Sequence, residues 1–167
     1  APSSVGLATA SDGIQWTKYK HNPVLKPGPA GEWDDKLVGD QTIIKKGGKY
    51  NMWYAGTSYQ QERKKDAWWN DLLWQTREGW KKEIGFALSD DGIVWKKESG
   101  NPVIRVGENG EWDSVKADNP FVMFDEGIYK MWYRGENLSY SAIGYATSSD
   151  GIRWTKYPRN PVLKPPQ

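Results

Sequence analysis

One unit of about 60 residues repeats along this chain, and that repeat limits the fold more than any other feature. "VGLATASDGIQWTKYKHNPVLKPGPAGEWD" (5–34) matches "IGFALSDDGIVWKKESGNPVIRVGENGEWD" (84–113), and "IGYATSSDGIRWTKYPRNPVLKP" (143–165) matches both. The spacings are fixed. Gly6 to Trp16, Gly85 to Trp95 and Gly144 to Trp154 are each ten residues, and Trp33 to Trp53 and Trp112 to Trp132 are each 20. A repeat of this length stacks supersecondary units, none of which buries its apolar face alone.

Within a unit the pattern is all strand. "FVMFD", a Glu-Gly turn, "IYKMWYRG", "AIGYATS", a Ser-Asp-Gly turn and "IRWTKY" are short β-rich runs bounded by Gly, Asp and Asn, as in consecutive antiparallel hairpins. Four strands per unit predict an all-β fold, a β-propeller of four-stranded blades. With strands lettered a to d outward from the axis, the chain reads c-d, a-b-c-d, a-b-c-d. Residues 1–167 form a single propeller segment: a half blade at 5–20, a blade at 37–98 with an insertion at 58–83, a blade at 115–157 and a Pro-rich tail at 158–167. Two and a half blades leave flanking faces uncovered. The expectation is completion by a further segment or by a homo-oligomer, a dimer completing a five-bladed ring being favoured because two chains carry 20 strands. The count is imperfect, since neither chain has a spare a-b hairpin.

Composition excludes several function classes. There is no cysteine, hence no disulfide framework or thiolate metal site, and the single histidine, His21, leaves no basis for a His-rich metal site or a Ser-His-Asp triad. A net charge of +2 with interspersed signs gives no basis for a nucleic-acid partner. No apolar run approaches the roughly 18 residues of a membrane-spanning helix. Localisation stays open between secreted and cytoplasmic, with no signal-peptide pattern at residue 1. Eleven Trp and nine Tyr are many for a polar chain this size. Indole faces stack on sugars, which makes carbohydrate the expected partner; the rival reading makes these rings core staples of a β fold.

"NPV-L…G-E-W-D", "Y-x-M-W-Y-x-G" and "I-G-x-A-x-S-x-D-G-x-x-W" resemble the repeats of five-bladed glycosidase propellers, the superfamily of arabinanases, levansucrases, invertases and mannoside phosphorylases. The resemblance covers nearly all of the chain outside 59–82. It implies acidic residues at the inner ends of the a strands, around a central funnel, where a carboxylate pair acts on a glycosidic bond. It implies no cofactor and no catalytic metal, although some relatives hold an axial calcium.

The inner strands open with "VGDQTII" and "KADNPFV", offering Asp40 and Asp118 as catalytic carboxylates. In the repeat Asp40 stands opposite Asn119, and Asp118 opposite Gly39, so neither is a repeated structural residue. The rival reading is an Asp bonding backbone N–H groups where a strand begins. "MWYRGEN" adds Glu136 as a third catalytic candidate and Arg134 as a substrate-binding fork, where the first blade has Ala55 and Thr57. A surface ion pair is the alternative for both, and Glu83, opposite Ala142, is a weaker candidate.

The insertion carries Trp68, Trp69, Trp74 and Trp80, candidate sugar platforms, with a short helix expected after Asp66. It joins strands b and c on the side where strand a begins, the funnel side in this superfamily, so it either overhangs the site or clamps a partner.

Repeated acids read as structure. Asp34 and Asp113 of "GEWD" are expected to cap connections between blades. The Asn-Pro pairs are read as turns leaving strand d. In "SDG", Asp bonds its own turn, Gly supplies a positive φ and the following Trp staples strand d. That motif is similar to the Asp-box of sialidase propellers, one residue shorter. The functional expectation is a glycoside hydrolase-like propeller acting on carbohydrate. The alternatives are a non-catalytic carbohydrate-binding module and a self-assembling fragment without activity.

Overall fold

A computed structural model describes residues 3–59 and 80–166; the expected helix, with Trp68, Trp69 and Trp74, lies outside them. The described residues are all β. Strands β1 (Ala8–Thr9) and β2 (Thr17–Lys18) form a small antiparallel pair. Strands β3 (Leu37–Lys46), β4 (Lys49–Tyr59), β5 (Trp80–Ser89) and β6 (Lys96–Lys97) follow as one antiparallel blade. Strands β7 (Lys116–Asp125), β8 (Ile128–Glu136), β9 (Ser141–Ser148) and β10 (Thr155–Lys156) make the second blade. A parallel contact, Lys82 opposite Lys116, joins the start of β5 to the start of β7.

Two of the expected boundaries shift. Pairing of β4 with β5 runs out through Ser58–Lys81 and Tyr59–Trp80, so both ends of the 58–83 stretch are strand. The ladder extends because each added pair satisfies backbone groups that would otherwise stay open. Outer strands β2, β6 and β10 are only two residues long, because an Asn side chain takes over their pairing. Asn22, Asn101 and Asn160 each accept from, and donate to, the backbone of one residue of the adjacent segment, Leu7, Phe86 and Tyr145 respectively, at 2.7–2.9 Å. Each of these Asn residues precedes a cis proline, after which the chain returns to pair Val5 with Leu25, Ile84 with Ile104 and Ile143 with Leu163.

Each Ser-Asp-Gly turn is closed by its own side chains. Asp12, Asp91 and Asp150 each accept two backbone N–H bonds from the residues two and three ahead, at 2.8–2.9 Å. Gly13, Gly92 and Gly151 supply φ of 72°, 77° and 80°, where a Cβ would be strained. Trp16, Trp95 and Trp154 donate their indole N–H to those glycine carbonyls. The turn donors hold all three carboxyls below the usual aspartate range.

The connector ahead of each blade is pinned by one tryptophan. Trp33 lies over Gly56 and Gly85, and Trp112 over Gly135 and Gly144, so closely that a Cβ at any of the four would fall 2.1–2.7 Å from the ring. Asp34 and Asp113 are more than turn caps. Asp34 accepts from Gly28 N–H at 3.2 Å, from Tyr54 hydroxyl at 3.1 Å and from Lys97 ammonium at 2.5 Å. Asp113 takes Tyr133 at 3.0 Å and Lys156 at 2.7 Å. Burial, then the nearby aspartate charge, pushes both phenols well above the ordinary tyrosine value, so they stay donors.

The main core lies between the two blades. Trp53, Ile84 and Phe86 of the first meet Val122, Tyr129 and Met131 of the second. At this seam Thr42 hydroxyl donates to the Pro120 carbonyl at 2.6 Å, and the Lys46 ammonium sits 3.4 Å from the centre of the Phe124 ring.

Candidate functional site

Strands β3 and β7 both bulge near their inner ends, where pairing skips between Gly39 and Thr42 and between Asp118 and Phe121. The repeat-equivalent residues Asp40 and Asn119 take a left-handed φ of 49° there. Asp and Asn tolerate that region better than other side chains, and a bulge re-aims the residues around it.

On β7, Asp118 is fully buried and faces Arg134 directly across the ladder. Arg134 grips it with two prongs: Nε to Oδ1 at 2.7 Å and Nη2 to Oδ2 at 2.6 Å. Lys82 of the first blade reaches the same carboxylate at 3.2 Å and holds Asp40 at 2.5 Å. One ammonium within reach of both places the two Oδ2 atoms no more than about 6 Å apart, the short end of the roughly 5–10 Å separations that glycosidases use. Two pairs further along the ladder, Glu136 faces Lys116 at 2.9 Å and accepts from Ser141 hydroxyl at 3.1 Å.

These groups form one charge cluster. The Arg134 guanidinium is held above its ordinary value, first by its hydrogen bonds to Asp118, then by the charges of Asp118, Glu136 and Asp40, against some desolvation. Asp118 and Glu136 are buried, whereas the Asp40 side chain is 41% exposed and that of Arg134 35%. Solvent, and any ligand, therefore meets Asp40 and the outer edge of Arg134 first.

The structure thus brings Asp40, Asp118, Arg134 and Glu136 together. Trp80 lies at the same end, two residues before Lys82 on β5 and so on the same face of that strand. Trp68, Trp69 and Trp74 lie outside the described residues. Glu83 faces away from the cluster and accepts the Val106 N–H at 3.1 Å, a structural role. Sequence reasoning passed over Lys82 and Lys116. Both depart from the repeat, standing opposite Ser141 and Leu37, so the test that singled out Asp40 and Arg134 also marks them. Among the described residues no group of three or more His, Cys, Asp or Glu could hold a metal ion.

No protein-family model matches the chain. An uncharacterized protein of Mycobacterium tuberculosis is 32% identical over 145 residues, which cover 82% of this chain and 42% of that relative. The chain therefore spans less than half the length of the curated relative it matches. Among solved structures, a family 117 glycoside hydrolase from the marine bacterium Zobellia galactanivorans superposes with a TM-score of 0.71 at 21% identity, over 94% of this chain and 42% of its own. A Bombyx mori family 32 beta-fructofuranosidase gives 0.68 at 15% identity, over 90% of this chain and 27% of its own. Another glycoside hydrolase gives 0.64 at 26% identity, over 98% and 39%.

Proposed function

We propose that this chain, which has the fold of the glycosidase-superfamily β-propellers, uses the cluster at the inner ends of β3 and β7 to bind and hydrolyse a carbohydrate. The observation that carries this reading is the convergence of Asp40 and Asp118 on Lys82, with Arg134 clasping Asp118. Asp40, the open carboxylate, is the group that acts at the sugar, as base or nucleophile. Asp118 positions Arg134, whose free edge hydrogen-bonds sugar hydroxyls. Glu136 is the acid candidate, and Trp80 offers an indole face to the ring. The site needs no cofactor. Substrate hydroxyls compete with Asp40 for Lys82, which frees the carboxylate when sugar binds.

Release of reducing ends from a panel of oligosaccharides tests this. The wild type turns over, and Asp40→Asn falls by about a thousandfold, within the range of a lost acid–base group. Turnover unchanged in that variant overturns the assignment.

One observation favours a non-catalytic carbohydrate-binding module instead: each of the three carboxylates already has a cation partner, an arrangement suited to a fixed polar surface. Sugar that quenches Trp fluorescence without release of reducing ends selects that reading. Assembly belongs to the same proposal, as a homo-oligomer that brings further blades around the funnel.

A further inference from the structure

Trp53 and Trp132 are the same residue of the repeat, one on β4 and one on β8. Their surroundings differ. Trp53 is fully buried, and its indole N–H donates to the carbonyl of Gly151, in the Ser-Asp-Gly turn of the following blade, at 2.7 Å. Trp154 of that turn meets the Trp53 ring edge-on, and Ile152 packs on the same core. Among the described residues, the ring contacts of Trp132 are to Phe121 and Tyr145 of its own blade, and its N–H has no acceptor.

Trp132 belongs to a stripe that crosses the blade. Phe121, Trp132, Tyr145 and Tyr157 touch in sequence, with ring centres 6.2, 5.1 and 6.4 Å apart. Phe121 is 61% exposed, and along β7 it alternates with the inward-facing Pro120 and Val122. In the first blade the matching stripe, Thr42, Trp53 and Phe86, is the surface that the second blade covers.

The complementary half of that contact stands open elsewhere on the chain. The Gly151 carbonyl accepts two indole donors, its own Trp154 at 2.9 Å and Trp53. The repeat-equivalent Gly13 carbonyl accepts only Trp16 among the described residues, at 3.0 Å. Beside it Ile14 is 81% exposed and Trp16 62%, where their counterparts Ile152 and Trp154 are packed.

We propose that the aromatic flank of the second blade is a docking surface for the N-terminal half blade of a second copy of this chain. Trp132 donates to the Gly13 carbonyl of that copy, and Ile14 and Trp16 cover the Phe121–Tyr145 stripe as Ile152 and Trp154 cover Trp53. The contact is head-to-tail between two different surfaces, so each chain supplies both, and a closed pair makes the contact twice. The inference rests on the assembly reading above and adds the faces and the donor–acceptor pair.

Sedimentation equilibrium of the full chain tests it. The wild type forms a dimer at micromolar concentration. Ile14→Glu, at an exposed site where the fold is unaffected, raises the dissociation constant by more than about a hundredfold, as for a central interface anchor. Trp132→Phe keeps the ring but loses the donor, and raises it by about tenfold. A monomeric wild type overturns both the docking and the assembly reading. A dimer indifferent to Ile14→Glu and Trp132→Phe overturns this docking and leaves assembly standing. Sugar turnover, measured in parallel, reports on the carbohydrate reading alone.

Discussion

The two blades share a backbone and differ where they approach each other. Their inner ends pair Leu37 with Thr57 and Gly39 with Ala55 in the first blade, and Lys116 with Glu136 and Asp118 with Arg134 in the second. Partners across the ladder change together, apolar with small or charged with charged. The second blade pairs Lys116 with Glu136 and Arg134 with Asp118 along one ladder, the first pairs Lys82 with Asp40, and Lys82 also reaches Asp118 across the seam. Residues the blades have in common hold each blade. Residues they do not share collect at one end of the seam.

The largest test of that division converts one blade into the other. Asp118→Ala leaves Arg134 and Lys82 facing an empty position and should cost about 3–5 kcal/mol in urea unfolding, as for a broken buried pair. Asp118→Gly with Arg134→Ala recreates the first blade's pair and should recover most of the loss. If the double variant is no better than the single, the two ladders are not equivalent scaffolds.

Shared residues should instead give equal losses. Asp34→Ala and Asp113→Ala each strand a buried tyrosine hydroxyl and a lysine. Each is expected to lose about 3 kcal/mol by the same measurement. A gap between them of more than about 1 kcal/mol, beyond the usual spread for a single hydrogen bond, breaks the symmetry.

Trp53→Phe removes the cross-blade bond to Gly151 and should cost about 1.5 kcal/mol, whereas Trp132→Phe in the isolated chain should cost almost nothing. Thr57, opposite Glu136 in the repeat, buries a hydroxyl without a partner among the described residues. Thr57→Val is therefore expected to be neutral or to gain up to about 1 kcal/mol.

The smallest effect is on pH. Turn N–H groups depress the folded-state pKa values of Asp12, Asp91 and Asp150 below the unfolded value. Their contribution is therefore present above about pH 4 and lost as pH falls through the folded values. Asp91→Asn keeps the acceptor oxygen but cannot titrate, so its melting temperature should match wild type at pH 7 and fall less steeply below pH 4.

Much of the fold was legible because Gly, Asp-Gly and Trp recur at fixed spacing, and those residues specify turns and slots locally. Asp40, Asp118, Arg134 and Glu136 were legible by the converse logic, as departures from the repeat. Lys82 and Lys116 departed equally and were passed over because attention went to carboxylates, while their partners lie on other strands. The part played by Asp34 was hidden for a different reason. Its partners Tyr54 and Lys97 stand 20 and 63 residues away, and a repeated acid on a connector looks like a turn cap until the packing is known.

The tryptophan that lies over a pair of glycines has a consequence for how such a chain can be edited. Trp33 and Trp112 each sit on the blade that follows them, so a connector is the first piece of the next blade. The seam between modules runs ahead of Gly28 and ahead of Gly107, after the returning segment has paired with Val5 or with Ile84. A cassette cut at those two points carries its own pin and its own slot. Inserted in tandem, it would lengthen the array by one whole blade and leave a single new blade-to-blade seam to be packed.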